Sequence, residues 1–406
     1  MKKLLTLLLV CSIFAGSTYA GGFQIGTQNA RAMGMAGAFV GMASDASAIY
    51  FNPAGLTNVR GFNLVAGTTL IMPTVDFTGP NPLTTKTTTV ARTFTPINFY
   101  GAYSIDDNWT VGLGVFNPFG LGSEWPDGWI GKSLAVKTEL RTFYFNPTVA
   151  YKVNEYFSIG AGFSYVISKV TFLQGFDVPP LASNVKVTLD GPGDPTFTFN
   201  FGFLFKPDDK FSFGFSYRHN VELNFSGDAT FADLPATLST LFPAGKGKAS
   251  ITMPSDLRAG VSYNATKDFT INADVMFVGW SSYKYLSVDF DKNTPYWKDV
   301  LSPKYWDNSI TFRIGGEYRI KDLALRAGYV NDGSPIPTKY MDPSLPGANR
   351  NEFTLGVGYQ FTPSIRFDAA YQFISFKQDV GDSGFPFNGK YENSTNLFGF
   401  NFAFNL

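Results

Sequence analysis

Cysteine and histidine are almost absent from this chain of 406 residues, which contains one of each, Cys11 and His219. Cys11 lies in an apolar run near the amino terminus, so disulfides, thiolate catalysis and cysteine-ligated metals are excluded for the rest of the chain. Net charge is also absent, because 32 lysines and arginines balance 32 aspartates and glutamates. No field of a single sign therefore indicates nucleic acid as a partner.

The first twenty residues have the three parts of a secretory signal sequence. Lys2 and Lys3 form the positive end, an apolar stretch follows at 4–15, and Thr18-Tyr-Ala20 is a small-residue cleavage motif. The apolar stretch is too short to span a bilayer, and no run of eighteen apolar residues follows it. The sequence thus predicts a signal peptide at 1–20 and no transmembrane helix.

Aromatic residues are abundant, with 42 phenylalanines and 20 tyrosines, and at the end of the chain they take every second position. The apolar residues there are Phe398, Phe400, Phe402, Phe404 and Leu406. Side chains alternate between the two faces of a strand, so this segment has one apolar and one polar face. Such a stripe on a terminal strand is a liability in water but suits a strand that faces lipid.

Fourteen segments share this alternation, at about 61–72, 94–105, 108–118, 136–152, 155–172, 194–206, 209–226, 247–263, 267–290, 307–320, 322–330, 349–361, 363–377 and 389–406. Six short connections alternate with seven long ones, as in outer-membrane barrels with short periplasmic turns and long external loops. Residues 61–406 are therefore predicted to form an all-β membrane fold, a fourteen-stranded antiparallel transmembrane β-barrel in the bacterial outer membrane. A large soluble β protein is the alternative, but such a fold does not require short and long connections to alternate.

Residues 21–60 lack the strand pattern, and Arg31 and Asp45 are the only charges before their last residue. A fourteen-stranded barrel leaves a wide lumen, since eight strands already enclose an interior that side chains can fill. The low charge argues against a disordered tail. The segment is therefore predicted to be a small helical hatch, or plug, inside the lumen, with a helical turn that ends at Asn52 because Pro53 follows.

The run Ser44–Leu56, SDASAIYFNPAGL, resembles the Asn-Pro-Ala signature in the amino-terminal hatch of the long-chain fatty acid and hydrophobic compound transporters of the FadL/TodX type. Later stretches resemble further motifs of that family in the same order: Ala273–Ser282, Gly315–Tyr318, Leu325–Tyr329 and Ser334–Pro337. The resemblance covers essentially the whole chain after the predicted signal peptide.

This resemblance implies passive uptake of hydrophobic molecules, either long-chain fatty acids or hydrocarbons, by a monomeric barrel that has no cofactor and is not an enzyme. The hatch would gate the passage through the signature residues Asn52, Pro53, Ala54 and Gly55. Outer-membrane lipid and lipopolysaccharide would surround the barrel, and the barrel assembly machinery would act on it during biogenesis.

Prolines interrupt the predicted wall in its second, third and fourth segments, at Pro96, Pro118 and Pro147. Proline has no backbone N–H, so it is confined to edges and bulges of a sheet. In the family the third strand carries an inward kink that makes a lateral opening beside the hatch, and Gly112–Trp125 resembles that strand. The implied opening lies at Asn117, Pro118, Phe119 and Gly120. The alternative is a strand that ends before this run and simply opens the loop.

Two long loops carry the residues expected to capture a ligand first. In the loop at 227–246 four apolar residues at helical spacing predict a short external helix: Leu234, Leu238, Leu241 and Phe242. The resemblance favours an apolar groove between this helix and the loop at 173–193, which offers Leu173, Phe176 and Leu181. The alternative is that the helix packs on that loop.

Charged residues on the strands are expected to line the lumen and to hold the hatch by ion pairs. Strand parity places ten of them there: Arg218, Glu222, Arg258, Asp274, Arg313, Glu317, Arg319, Arg326, Arg366 and Asp368. The basic residues that contact a fatty-acid head group in the family have no clean counterpart here. The nearest candidates are Lys169, Lys298 and Lys304, and this departure favours a neutral hydrocarbon ligand.

Two other functions stay open from the sequence. A general hydrophilic porin would need an open lumen. An outer-membrane phospholipase would need a serine paired with His219, and the sequence offers no such pair. The chain has no phosphate-binding loop or nucleotide fingerprint, so energy coupling within it is not expected.

Overall fold

The computed structural model describes residues 22–381 and 387–406, so the predicted signal peptide lies outside the described residues. The helices are short: α1 (Ala30–Met33) and α2 (Ala48–Phe51), with 3-10 turns at Pro53–Asn58, Ala236–Leu238, Trp280–Ser282 and Thr338–Tyr340. Within the described ranges, no helix is long and apolar enough to cross a membrane.

Strands make up most of the chain. In order they are β1 (Phe62–Thr78), β2 (Lys86–Thr88), β3 (Ile97–Ser104), β4 (Trp109–Phe116), β5 (Gly120–Glu124), β6 (Lys137–Lys152), β7 (Phe157–Val178), β8 (Ala182–Pro192), β9 (Thr196–Phe205), β10 (Phe211–Arg218), β11 (Val221–Ala232), β12 (Gly245–Met253), β13 (Asp256–Asn264), β14 (Phe269–Val278), β15 (Tyr285–Phe290), β16 (Val300–Pro303), β17 (Ser309–Ile320), β18 (Leu323–Asp332), β19 (Arg350–Thr362), β20 (Ile365–Val380) and β21 (Gly389–Asn405).

These strands form one antiparallel sheet that closes into a ring of fourteen across the described residues, which confirms the predicted barrel. The ring closes because β21 pairs with β20 along one edge and with β1 along the other, from Asn63–Asn405 to Thr78–Lys390. On the side of the long loops, β8, β11, β12 and β15 pair in turn and lengthen the wall.

The apolar faces of the strands point outward. In β21, Phe400 and Phe402 are exposed on the outer face, whereas Asn401 and Ala403 are buried. In β7 every second residue from Ser158 to Ser168 is buried. A closed sheet satisfies its own backbone groups, so a wall with this apolar surface can stand in lipid.

One lumen prediction was wrong. Arg218 at the end of β10 is buried, but Glu222 in β11 is exposed, while Val221 and Leu223 beside it are buried. The two residues at 219–220 interrupt the strand predicted at 209–226, and β11 resumes with the opposite parity. An interruption of this kind moves every later side chain to the other face.

The hatch, residues 22–60, enters the ring at the side of the short turns. There Phe62 N donates to Leu406 O (2.9 Å) and Leu406 N donates to Phe62 O (2.8 Å), directly after the hatch ends. Phe23 at the other end of the hatch packs on Trp280 and Trp306, with ring centroids 4.8 and 5.7 Å apart. Both tryptophans follow strands at the side of the long loops, so the hatch runs along the height of the lumen.

Candidate functional site

The hatch contacts the inner face of the ring on several sides. Its hydrogen bonds reach four strands spaced around the ring: Ala30 N to Asn401 Oδ1 (2.6 Å), Ala36 N to Thr354 Oγ1 (3.0 Å), Val40 N to Asp274 Oδ2 (3.0 Å) and Asn52 Nδ2 to Phe203 O (2.9 Å). Buried backbone groups need such partners, because each unpaired one destabilises the structure. The hatch is therefore seated against the wall at defined positions.

Buried ion pairs join the hatch to β17, β18 and β20. Arg31 of α1 donates to Glu317 (3.0 and 3.1 Å) and to Asp45 (3.4 Å). The network continues through Arg326–Glu317 (2.7 Å), Arg326–Asp368 (2.8 Å), Arg366–Asp368 (2.8 Å) and Arg366–Asp45 (3.4 Å). Removing one partner from a buried pair costs about 3–5 kcal/mol, because the other charge is left unpaired. The expectation that lumen charges hold the hatch by ion pairs is confirmed, and the hatch residues that form these pairs are Arg31 and Asp45.

The signature residues of the hatch are all buried and lie against β7, β9 and β10. Asn52 ends α2, and its amide donates to Val40 O (3.0 Å) and Phe203 O while accepting from Ala54 N (3.2 Å). Pro53 and Ala54 begin the following 3-10 turn, and Gly55 lies against Ala43. Asn52 thus fixes the hatch turn to the wall, whereas a gating role for the four residues stays a prediction.

Glycines of the wall allow this close approach. A side chain at Gly160 would collide with Pro53, one at Gly214 with the Val40 carbonyl, and one at Gly315 with the Met35 carbonyl. All three glycines face the lumen, where the hatch backbone lies directly on the strand backbone.

The third barrel strand is broken in two. β4 ends at Phe116 and β5 begins at Gly120; both pair with β6, but only β4 pairs with β3. The ladder to β3 ends where Asn117 Oδ1 accepts from Ile97 N (2.8 Å). β5 therefore has a free edge on the side of β3, apart from Gly120 N, which donates to the hatch, and Glu124 O, which accepts from Val90 N, and the wall has a break there.

The hatch meets the wall at this break. Ile25 N donates to Pro118 O (2.8 Å), Gly120 N donates to Phe23 O (3.1 Å), and Gln28 Nε2 donates to Asn117 O (2.6 Å). The run 117–120 thus contacts the hatch, and the strand resumes as β5 at Gly120. Release of ligand at this place stays a prediction.

The break opens into a cavity of about 490 Å³. Phe23 and Ile25 of the hatch line one side of it, and β5 lines another. Along β6 the lining includes the buried Leu140 and Thr142, which face the lumen, and also the exposed Arg141, which points outward. Side chains from both faces of β6 therefore line the cavity beside β5.

Three arginines line the polar part of this cavity. Arg350 pairs with Asp332 (2.8 Å) and Glu352 (2.9 Å), and Arg141 pairs with Glu139. Arg313 donates to the Ala36 carbonyl (2.9 Å) and forms no ion pair with any carboxylate in the described part of the chain. Arg313 is thus the one of the three arginines that has no ion pair within 4 Å to a described carboxylate, although its charge interacts at longer range with Asp274 and Glu352.

The predicted head-group lysines lie in three different places. Lys169 is on the outer face and pairs with Asp190 (3.0 Å), and Lys298 is exposed in a loop. Lys304 lines a small neighbouring cavity and pairs with Asp342 (2.6 Å).

The Lys304–Asp342 pair stays charged near neutral pH. Burial alone raises the pKa of Asp342, but the Lys304 charge and hydrogen bonds from Lys304 and Ser344 outweigh it, so the pKa lies below its ordinary value. Burial alone lowers the pKa of Lys304, and Asp342 raises it above the ordinary value. The two charges neutralise each other, so Lys304 offers little to a ligand carboxylate.

The predicted apolar groove residues lie together at the side of the long loops. Phe176 packs on Phe242 with ring centroids 5.0 Å apart, Leu238 is buried, and Leu181 is exposed. The remaining members, Leu173, Leu234 and Leu241, are half-buried. None of the seven lines the 490 Å³ cavity, so ligand capture by them stays a prediction.

The predicted external helix was wrong, because only the 3-10 turn Ala236–Leu238 forms there. A helix confined to nine residues is shorter than the length at which helices become stable by themselves. The packing of Phe242 on Phe176 holds the loop in its place.

Sequence reasoning missed two residues of the site, Phe23 and Phe94. Phe23 lines both cavities and packs edge-on to Phe119, with centroids 6.3 Å apart. Its position as the first large apolar residue after the predicted cleavage site was an available signal. Phe94 lines the cavity at the break, and no local pattern distinguishes it from other aromatic residues of the wall.

An antiparallel ring with an apolar outer face and a hatch inside is the architecture of an outer-membrane transport barrel. The family model for the outer membrane protein transport proteins (OMPP1/FadL/TodX) matches residues 11–406. The chain belongs to this family, whose members are outer-membrane transport channels for hydrophobic compounds.

This chain is similar to its relatives along almost its whole length. The chain is 24% identical to the long-chain fatty acid transport protein of Escherichia coli O6:H1, over 98% of both chains. A FadL homologue of Pseudomonas aeruginosa matches with a TM-score of 0.81 at 21% identity, over 95% of this chain and 100% of the other. The toluene transporter TodX of Pseudomonas putida matches with a TM-score of 0.72 at 18% identity, over 96% and 100%. These two structures share the fold.

Proposed function

We propose that this barrel takes up long-chain fatty acids or hydrocarbons passively and releases them sideways into the outer membrane. A ligand would be captured first at the apolar side chains of the external loops and would then enter the 490 Å³ cavity. The hatch would gate the passage through its signature residues Asn52, Pro53, Ala54 and Gly55. Release would follow between β3 and β5, at Asn117, Pro118, Phe119 and Gly120.

One observation carries the proposal: a single cavity touches the hatch, the free edge of β5 and the outer face of β6. A hydrophobic solute gains little from a water-filled exit, because apolar surface is stabilised by leaving water. A sideways exit keeps it out of water. The volume of about 490 Å³ lies within the range of about 300–1,000 Å³ that small-molecule sites occupy.

The named activities of two relatives support the ligand class. The Escherichia coli relative is a long-chain fatty acid transport protein, and the Pseudomonas putida structure is a toluene transporter. An apolar cavity with one arginine that forms no ion pair to a described carboxylate suits an amphiphile with an anionic end, and its apolar part also suits a neutral hydrocarbon.

The lateral route is tested by Gly120→Leu. A side chain at this position would enter the cavity and meet Ile25, whose Cδ1 lies 2.7 Å from the added Cβ. Blocking the passage is expected to slow uptake of oleate and of dodecane roughly tenfold or more, the effect of about 1.4 kcal/mol or more of added barrier.

Gly101→Leu is the matched control, because nothing lies within 4 Å of a Cβ at Gly101 on the neighbouring strand. It is expected to leave uptake unchanged. Folding of each variant is checked by gel electrophoresis, in which the unheated, folded barrel migrates differently from the heated protein. Normal uptake by a folded Gly120→Leu barrel would show that ligand leaves by another route.

A further inference from the structure

The residues that face the free edge of β5 come from the segment 89–96, before β3. The backbone of this segment belongs to the neighbouring part of the wall, since Phe94 N donates to Ile71 O (2.9 Å) and Ile71 N donates to Phe94 O (2.8 Å). The segment therefore stands beside β5 as a second wall edge, and the two edges frame the break.

The frame is fastened at both ends. At one end Asn117 Oδ1 accepts from Ile97 N (2.8 Å). At the other end Glu124 O accepts from Val90 N (2.7 Å), and the Glu124 carboxylate pairs with Arg92. Between these two fastenings, no backbone hydrogen bond joins the segment to β5 within the described chain. The opening in the wall is thus a bounded window.

One side chain occupies this window. The ring of Phe94 lies against Gly122 so closely that any side chain at position 122 would overlap it. Phe94 and Gly122 both line the cavity from within. The closure therefore consists of an aromatic ring over a glycine in the middle of the free edge.

We propose that Phe94 is the shutter of the lateral exit, a residue that closes the passage at rest and swings aside when a ligand leaves. The proposal rests on the lateral route put forward above and names the residue that controls it. Unpaired backbone groups cannot face lipid without a large penalty. A ring over Gly122 shields the free edge of β5 and keeps membrane lipid out of the cavity.

The contacts of Phe94 leave its side chain able to rotate. Its backbone bonds go to β1, so rotation of the side chain breaks no hydrogen bond of the wall. No aromatic ring of the described residues packs on it, in contrast to Phe23, which contacts four rings. Rotation of a side chain of this kind is fast compared with the motion of a whole strand.

Phe94→Ala is expected to speed uptake of oleate and dodecane about two- to fivefold, because opening of the gate no longer limits release. Phe94→Met, which keeps an apolar side chain of similar length, is expected to stay near the wild-type rate. Phe99→Ala is the matched control, since Phe99 is exposed on β3 and pairs with Val115 away from the window. Uptake is measured in cells that lack other transporters of this family.

The double variant Phe94→Cys/Gly122→Cys gives opposite results in its two redox states. The only natural cysteine, Cys11, lies in the predicted signal peptide, so the introduced pair stands alone. When it is oxidised, the pair forms a disulfide that links the segment 89–96 to β5, and uptake is expected to fall below the wild-type rate. Reduced with a phosphine, it lacks the shutter, and uptake is expected to match Phe94→Ala. The uptake rate of each single-cysteine variant should be the same under oxidising and reducing conditions.

The outcomes separate the two proposals. If Gly120→Leu slows uptake while Phe94→Ala leaves it at the wild-type rate, the lateral route stands and the shutter is overturned. An oxidised double variant, with the disulfide shown by mass spectrometry, that transports at the wild-type rate also overturns the shutter. If neither Gly120→Leu nor the oxidised pair slows uptake, the lateral route itself fails.

Discussion

Arg313 is the residue that bears most directly on the nature of the ligand. Sequence parity predicted that it faces the lumen, and the structure places its side chain at the cavity. The lysines proposed as head-group contacts are paired or lie elsewhere, whereas Arg313 forms no ion pair with a described carboxylate. A charge at this place would suit an anionic end on the fatty acids that we propose as one class of ligand.

Arg313→Gln is expected to weaken binding of oleate about tenfold or more, since a hydrogen bond between charged groups contributes about 1.5–3 kcal/mol. Binding of methyl oleate, which has no charge, should not change. Arg313→Lys is expected to restore part of the oleate affinity, because it keeps the charge. Isothermal titration in detergent measures these five affinities. Equal affinities of the wild type for acid and ester would favour a neutral hydrocarbon.

At the scale of the element, close contacts between the hatch backbone and the strand backbones hold the hatch in place as much as its ion pairs do. Its composition predicted a compact segment inside the lumen, and α2 ends at Phe51, before Asn52 and Pro53, as the proline requires. The helices are only four residues long. Most of the hatch is irregular chain whose backbone hydrogen bonds end on the wall.

Gly315→Val is expected to unseat the hatch, because its side chain would overlap the Met35 carbonyl. Overpacking of this kind costs about 1–3 kcal/mol, and trypsin should then cleave after Arg31 in the folded barrel. Gly316→Val is the matched control, since the neighbouring residue faces outward and its Cβ would lie 3.3 Å from the nearest atom, on Phe269. Equal resistance of both variants to trypsin would show that Gly315 does not support the hatch.

At the scale of the whole molecule, the ring and the hatch together decide between a transporter and an open pore. Fourteen strands enclose a wide lumen, and the hatch crosses it from Phe23 to the start of β1. The hatch is therefore expected to leave ions no broad aqueous path along the barrel axis, while the cavity and the break form the route that we propose for a hydrophobic ligand.

The protein in planar lipid bilayers is therefore expected to show little steady conductance. A variant that lacks residues 22–59 should show large steady openings, because the wall closes through β1 and β21 without the hatch. A large steady conductance of the unmodified protein would contradict the seated hatch and would favour a general hydrophilic porin.

The sequence by itself determined the barrel. Alternation of apolar and polar residues is a local property, and it shows which face of each strand meets lipid; the lengths of the connections then order the strands. This reasoning failed at Glu222, because two residues at 219–220 shift the parity and no local signal marks the shift. It also failed at the loop around Leu238, where contacts with another loop replaced the predicted helix.

Only the tertiary structure decided the site. Phe94 lies over Gly122, Arg31 meets Glu317, and Gly120 meets Phe23 because the ring brings distant parts of the chain to one place. Periodicity contains no information on which inward side chains oppose one another across a lumen. The sequence thus determined a barrel with a hatch and a resemblance to a transporter family. The packing of the hatch on the wall determined the cavity and the window through which we propose that ligand leaves.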